Sequence, residues 1–127
     1  MLLKAKPADV LVEHRELYSG LIRLHVLYHA VRGPIFGLQM IEELGRHGYK
    51  VSPGTFYPLL HAMENKGLLR SSRQGGRTDR RVYRATAGGR SALVMAKQKV
   101  QELFNELFED LLATKSTRSH SRTRSAK

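Results

Sequence analysis

The run from Ser52 to Gly67, SPGTFYPLLHAMENKG, constrains its part of the chain to a helix with fixed ends. Ser52 is an N-cap residue, and Pro53 suits the first helical position, where no N–H is needed. Phe56, Leu59, Leu60 and Met63 then recur at helical spacing and form one apolar stripe to bury. Ser52, Thr55, Tyr57, His61, Asn65 and Lys66 fall elsewhere on the circumference, and Gly67 supplies a left-handed stop. Pro58 runs against this pattern. It cannot donate to the Gly54 carbonyl, which predicts lost stability or a bend in the first turn. A helix start rich in small uncharged polar groups is tolerable where it faces water or a ligand.

The flanking segments hold this helix in place. From about Asp9 to Arg32, Leu17, Leu21, Leu24, Tyr28 and Val31 form a helical stripe, widened by Val10, Leu11, Ile22, Val26 and Leu27. Ser19 and Gly20 predict a break within it, and Gly33–Pro34 ends it. Phe36 to Gly48 reads as a second helix with Leu38, Ile41 and Leu44 on one face and Gln39, Glu42, Glu43 and Arg46 on the other. Gly37 and Gly45 there suit close approach to a neighbouring helix. Gly48, Tyr49 and Lys50 form the turn before Ser52. Two short helices joined by a Gly-containing turn make a helix-turn-helix, although an ordinary helical hairpin has the same spacing.

Leu68–Arg73 and Arg80–Ala85 read as two strands joined through Gly75 and Gly76, a β-hairpin. Between positions 70 and 84 stand Arg70, Arg73, Arg77, Arg80, Arg81 and Arg84 against the single acid Asp79. A hairpin of one sign directly after a polar-faced helix has the character of a wing that reaches DNA phosphates or the minor groove. A solvated surface is the plainer explanation of any charge run.

The whole chain repeats that bias. Its 127 residues carry 22 Lys and Arg against 11 Asp and Glu, a formal net charge of +11. Such an excess points to an anionic partner, nucleic acid ahead of a membrane surface. Absence of cysteine excludes disulfides, thiolate catalysis and Cys-ligated zinc. No apolar run approaches the ~20 residues that cross a bilayer, and the first residues lack the apolar core of an export signal, so a cytoplasmic location is expected. His25 and His29 stand one helical turn apart, a metal-gripping spacing, but no Glu lies between them and no third ligand stands out. They read as core or interface residues. No phosphate loop, nucleophile elbow or carboxylate pair occurs, so neither catalysis nor a cofactor is expected.

Thr86 is placed to cap a helix over Ala87–Ala113, with Gly88 and Gly89 weakening its first turn. Leu93, Ala96, Val100, Leu103, Leu107 and Leu111 form its stripe, widened by Phe104, Phe108 and Leu112. That is too much apolar surface for a free helix in water, so the N-terminal helix, a second copy of the chain, or both must cover it. The expected organisation is a flexible stretch over 1–8, a DNA-binding domain over 9–85, a dimerisation helix within 86–115 and a disordered basic tail over 116–127.

With these residues in view the chain resembles the PadR-like transcriptional regulators. The resemblance rests on Leu27-Tyr28-His29, Gly33-Pro34, Gly37, Gly48-Tyr49 and Ser52, then Gly54-Thr55-Phe56-Tyr57-Pro58-Leu59-Leu60 and Glu64 to Leu69. It continues in Arg81, Val82, Tyr83, Thr86, Gly89 and Leu93. It covers about residues 20 to 95. Leu38 departs from the aromatic residue common there, and the chain lacks the tryptophan with which some members hold flat ligands between their dimer helices. The resemblance implies a winged helix-turn-helix, mainly α with a small β-hairpin, plus a C-terminal dimerisation helix as in the compact subfamily. It also implies repression from palindromic operators.

On this reading Ser52, Gly54, Thr55, Tyr57, Pro58 and His61 face DNA, and Arg77, Arg80 and Arg81 serve the wing. Ser52, Thr55 and Tyr57 would meet phosphates, Gly54 would allow close backbone approach, and His61 would reach a base edge. Tyr57 has an alternative role in packing beside Phe56. Leu93, Val100, Leu103, Phe104, Leu107, Phe108 and Leu111 would join two copies. The partners expected are double-stranded DNA and a second copy of the chain; the residues leave any small-molecule effector unidentified. A nucleoid-type protein binding nucleic acid without sequence choice, and an adaptor using the Phe104–Leu112 surface, are the competing classes.

Overall fold

The computed structural model describes residues 14–74 and 80–110. In order, it contains α1 (Arg15–Arg32), β1 (Ile35–Phe36), α2 (Gly37–Arg46), α3 (Pro53–Asn65), β2 (Leu69–Arg73), β3 (Arg81–Ala85) and α4 (Ala87–Leu107). The chain divides into two units, residues 1–94 and 95–127.

In the first unit, α1, α2 and α3 enclose a core around Val26, Leu44, Phe56, Leu60 and Met63, closed by Leu69 and Tyr83 of the sheet. α1 is phased differently from the expected stripe. Ile22, Val26, Leu27 and Ala30 are buried, whereas Leu17, Leu21 and Tyr28 are exposed. Both sides of this helix are apolar, so spacing alone did not decide which one the core takes. The helix is also continuous through Ser19 and Gly20. A single glycine on an exposed stretch weakens a helix by about 1 kcal/mol without breaking it. Residues 9–13 of the expected helix lie outside the described residues.

The hairpin belongs to a three-stranded antiparallel sheet in the order β1-β3-β2. Phe36, expected at a helix start, instead pairs with Val82, and Ile35 beside it pairs with Tyr83. Phe36 is extended and precedes α2, which ends at Arg46 rather than Gly48. In the other pairing, Arg70 lies opposite Arg84 and Arg73 opposite Arg81.

The elements end as their residues dictate. Ser52 is extended and its carbonyl accepts from the Phe56 N–H at 2.8 Å. Its hydroxyl makes no capping bond and lies 3.4 Å from the Thr55 hydroxyl. Helix α3 runs through Pro58 to Asn65, and Gly67 takes φ +80, the left-handed stop anticipated for it. Thr86 caps α4: its Oγ1 accepts from the Gly89 N–H at 2.9 Å and donates to the Gly67 carbonyl at 2.5 Å. Gly89 is a packing requirement more than a weakness, because a Cβ there would overlap the Leu68 carbonyl. Gly37 likewise has the Tyr57 ring against it, but the space beside Gly45 is open, contrary to the close approach expected there.

Candidate nucleic-acid interface

The burial pattern of α3 separates its two sides. Phe56, Leu59, Leu60 and Met63 are buried, while Ser52, Pro53, Gly54, Thr55, Tyr57, Pro58 and His61 are exposed. The exposed group lies mostly in the first turns, where unpaired N–H groups and the positive end of the helix dipole favour an anion. Gly54 meets only the Ser52 hydroxyl at 3.9 Å. A surface can therefore approach the backbone here closely.

Tyr57 divides between two roles. Its ring covers Gly37 and stands edge-on to Phe56 with centroids 6.3 Å apart, yet it stays 38% exposed. Packing fixes the ring, and its outer edge is open to a partner.

The sheet is tied to α3 by a carboxylate. Glu64, in the last turn of α3, accepts from the Ser71 N–H at 3.1 Å and from the Ser71 hydroxyl at 2.9 Å. Arg81 donates to that same hydroxyl oxygen at 3.1 Å. The guanidinium of Arg80 lies 4.1 Å from the centre of the Phe36 ring, a cation–π arrangement. Both side chains remain exposed, so each is oriented by a neighbour while keeping donors for a phosphate. Arg77 lies outside the described residues.

The strand register adds cations that sequence spacing could not align. Arg70 against Arg84 and Arg73 against Arg81 place like charges directly opposite each other, which destabilises an isolated sheet. Arg70 and Arg84 are both exposed. Such pairs are relieved when an anion bridges them. Tyr83 is buried, and that burial raises its hydroxyl pKa, while Arg81 nearby works in the opposite direction.

A family model described as the transcriptional regulator PadR-like family matches residues 26–95. The chain belongs to the PadR-like family of transcriptional regulators. This PadR-like regulator is 47% identical over 95 residues to the transcriptional regulator Rv3488 of Mycobacterium tuberculosis, a match covering 73% of this chain and 88% of that protein. A PadR family regulator from Eggerthella lenta has a similar structure, with TM-score 0.67, 29% identity and coverage of 80% of this chain and 91% of that one. A PadR-like regulator from Bacillus cereus shares the fold at TM-score 0.68 and 24% identity, over 76% of this chain and 96% of its own. The family consists of regulators rather than enzymes, and its winged helix-turn-helix is the architecture described above.

Of the residues assigned to a dimer seam in this PadR-like regulator, Leu93 is half-buried against the core of its own chain. Val100, Leu103, Phe104, Leu107 and Phe108 are exposed, between 41% and 66%, and Leu111 lies outside the described residues. The Phe104 and Phe108 rings touch, with centroids 4.8 Å apart. Leu17, Leu21 and Tyr28 of α1 form a further exposed apolar surface.

The histidines form a cluster between α1 and α2. His25 stacks against His47 with ring centres 4.5 Å apart, and His29 and His47 approach Glu43 at 3.8 Å and 3.5 Å. Arg46 also pairs with Glu43, at 2.8 Å. Burial, followed by the nearby charges of His47 and His29, lowers the pKa of His25, with Glu43 opposing. Among the described residues no group of His, Asp and Glu is arranged to hold a metal ion, and no helix is long and apolar enough to cross a membrane.

Proposed function

We propose that the chain is a cytoplasmic, sequence-specific repressor that binds a palindromic operator as a homodimer. The observation that carries this reading is the open face of α3, where Ser52, Gly54, Thr55, Tyr57, Pro58 and His61 stand exposed over a fully buried apolar stripe. In the dimer the two α3 helices enter successive major grooves about 34 Å apart. Ser52, Thr55 and the first N–H groups of α3 bond phosphate oxygens, Tyr57 adds its outer edge, and His61 reads a base edge one turn further on. Arg77, Arg80 and Arg81 serve the wing and contact the backbone beside the groove. Arg70 and Arg84 extend the same cationic surface.

The exposed apolar run from Val100 to Phe108 supports the second copy. Its residues recur at helical spacing, and two such helices side by side remove them from water. Leu17, Leu21 and Tyr28 offer additional surface to the same partner.

Footprinting on the DNA upstream of the chain's own gene tests this directly. The reading requires a protected site with two-fold symmetry, occupied by two chains. Equal protection of all sequences would assign the protein to the nucleoid-type class instead. A stable monomer of 14.4 kDa in light scattering would favour the adaptor class.

A further inference from the structure

Phe36 and Gly37 are neighbours where β1 runs into α2, and each supports a different part of the exposed surface. Phe36 pairs with Val82, and the ladder reaches back to Arg80, whose carbonyl accepts from the Gln74 N–H at 2.9 Å. Strand alternation therefore puts Arg80, Val82 and Phe36 on one face of the sheet. A long side chain two residues off the paired position is within reach of an aromatic ring across the strands. The Arg80 guanidinium uses that reach to lie 4.1 Å from the centre of the Phe36 ring. Ile35, on the opposite face, is buried in the core and anchors the strand beneath the ring.

Gly37 is buried and does not take a positive φ. Backbone conformation does not call for glycine there, and alanine is the better helix former. Space does call for it. A Cβ at Gly37 would overlap the outer end of the Tyr57 ring, at the hydroxyl and the carbons beside it. A side chain of α3 thus occupies the room that a side chain on α2 would need.

Two groups from separate elements are held at this one dipeptide, a cation beside the hairpin and a ring on the open side of α3. Stacking uses the face of a guanidinium and leaves its in-plane N–H donors free for an anion. The seat on Gly37 uses one side of the Tyr57 ring and leaves the residue 38% exposed. Ordering a side chain on binding costs entropy, and a side chain already held in place avoids that cost. We propose that Phe36 and Gly37 are positioning residues of the nucleic-acid interface. The Phe36 ring presents Arg80, the missing side chain of Gly37 seats Tyr57, and the spacing between the wing and α3 is set at this joint. The proposal rests on the DNA-binding reading given above. Neither residue has to touch DNA, since Gly37 is buried and Phe36 acts through the cation over it.

The test measures binding of the full chain to a duplex of arbitrary sequence at about 0.1 M salt, where one phosphate contact is worth roughly tenfold. Arg80→Ala should weaken binding by that factor per bound chain. Phe36→Leu should weaken it by roughly two- to fivefold, and Phe36→Tyr, which keeps the ring, should restore native affinity. Added to Arg80→Ala, Phe36→Leu should cost nothing further. Gly37→Ala should weaken binding as much as Tyr57→Ala does, and the two together no more than either, because the added methyl then has no ring to displace. In the free chain the side-chain N–H proton of Arg80 should resonate at low frequency under the Phe36 ring current and return to its ordinary position in Phe36→Leu, a readout that needs no duplex. Losses that simply add, or Phe36→Tyr as weak as Phe36→Leu, would overturn the proposal, since general damage to the fold gives both. An Arg80 signal indifferent to Phe36 would also overturn it. A native chain that binds no duplex would refute the DNA reading itself, and the positioning role with it, whereas additive losses in a chain that does bind would refute the joint alone.

Discussion

Glu64 and Ser71 join the last turn of α3 to the sheet, the carboxylate accepting both the backbone N–H and the hydroxyl of the serine. The same hydroxyl receives Arg81, so one carboxylate sets the attitude of a strand and, through it, an arginine. Replacing Glu64 by alanine leaves the Ser71 N–H without that acceptor and should cost about 1–3 kcal/mol of stability. Combining it with Ser71→Ala should cost less than the sum of the two changes, because both remove one interaction. Additive melting shifts would mean that the contact does not couple helix and sheet.

The glycines make opposite forecasts. Gly89→Ala forces a Cβ into the Leu68 carbonyl, a clash with backbone that should cost about 1–3 kcal/mol or more. Gly45 lies inside α2 with open space around it, so Gly45→Ala should stabilise by up to about 1 kcal/mol. Denaturant midpoints of the two variants should therefore move to opposite sides of the native value.

The α3 stripe, the Thr86 cap and the Gly67 stop depend on local spacing and φ, so they were visible in the residues themselves. Strand β1 was not, since Ile35 and Phe36 are too few to carry a period, and only pairing with Val82 and Tyr83 makes them a strand. The phase of α1 was hidden because apolar residues occupy both of its sides. Arg80 and Arg81 were recognisable as wing cations, but the Phe36 ring beneath one and Ser71 beside the other depend on tertiary placement. The alignment of Arg70 with Arg84 required the register.

That alignment has a measurable consequence. Arg84→Thr should stabilise the free protein by about 0.2–1 kcal/mol at low salt through relief of like-charge repulsion, with the gain shrinking as salt rises. Replacing Arg80 and Arg81 together by alanine should weaken binding to all DNA sequences alike and reduce the slope of log affinity against log salt by ~1 to 2. An unchanged slope in a salt titration would remove these two side chains from the phosphate contacts.

His25 introduces a dependence on pH. Its folded pKa lies below 6.5, chiefly through burial and then through His47 and His29. Between that lowered value and 6.5 the unfolded chain binds more protons, so stability rises with pH across the window. The contribution is complete above 6.5 and is lost as pH falls through the folded value. His25→Asn should flatten this part of the profile in urea melts taken from about pH 5 to about pH 8, the range in which histidine titrates. A profile as steep as the native one would place the titration elsewhere.

The most direct measurement compares the affinity of the native chain and of His61→Ala for the footprinted duplex and for a scrambled duplex of the same length and salt. The native chain should prefer its own site by about a thousandfold or more, and His61→Ala should lose about 1–3 kcal/mol on that site while binding the scrambled duplex unchanged. Equal affinity of the native chain for both duplexes would contradict recognition through the face of α3.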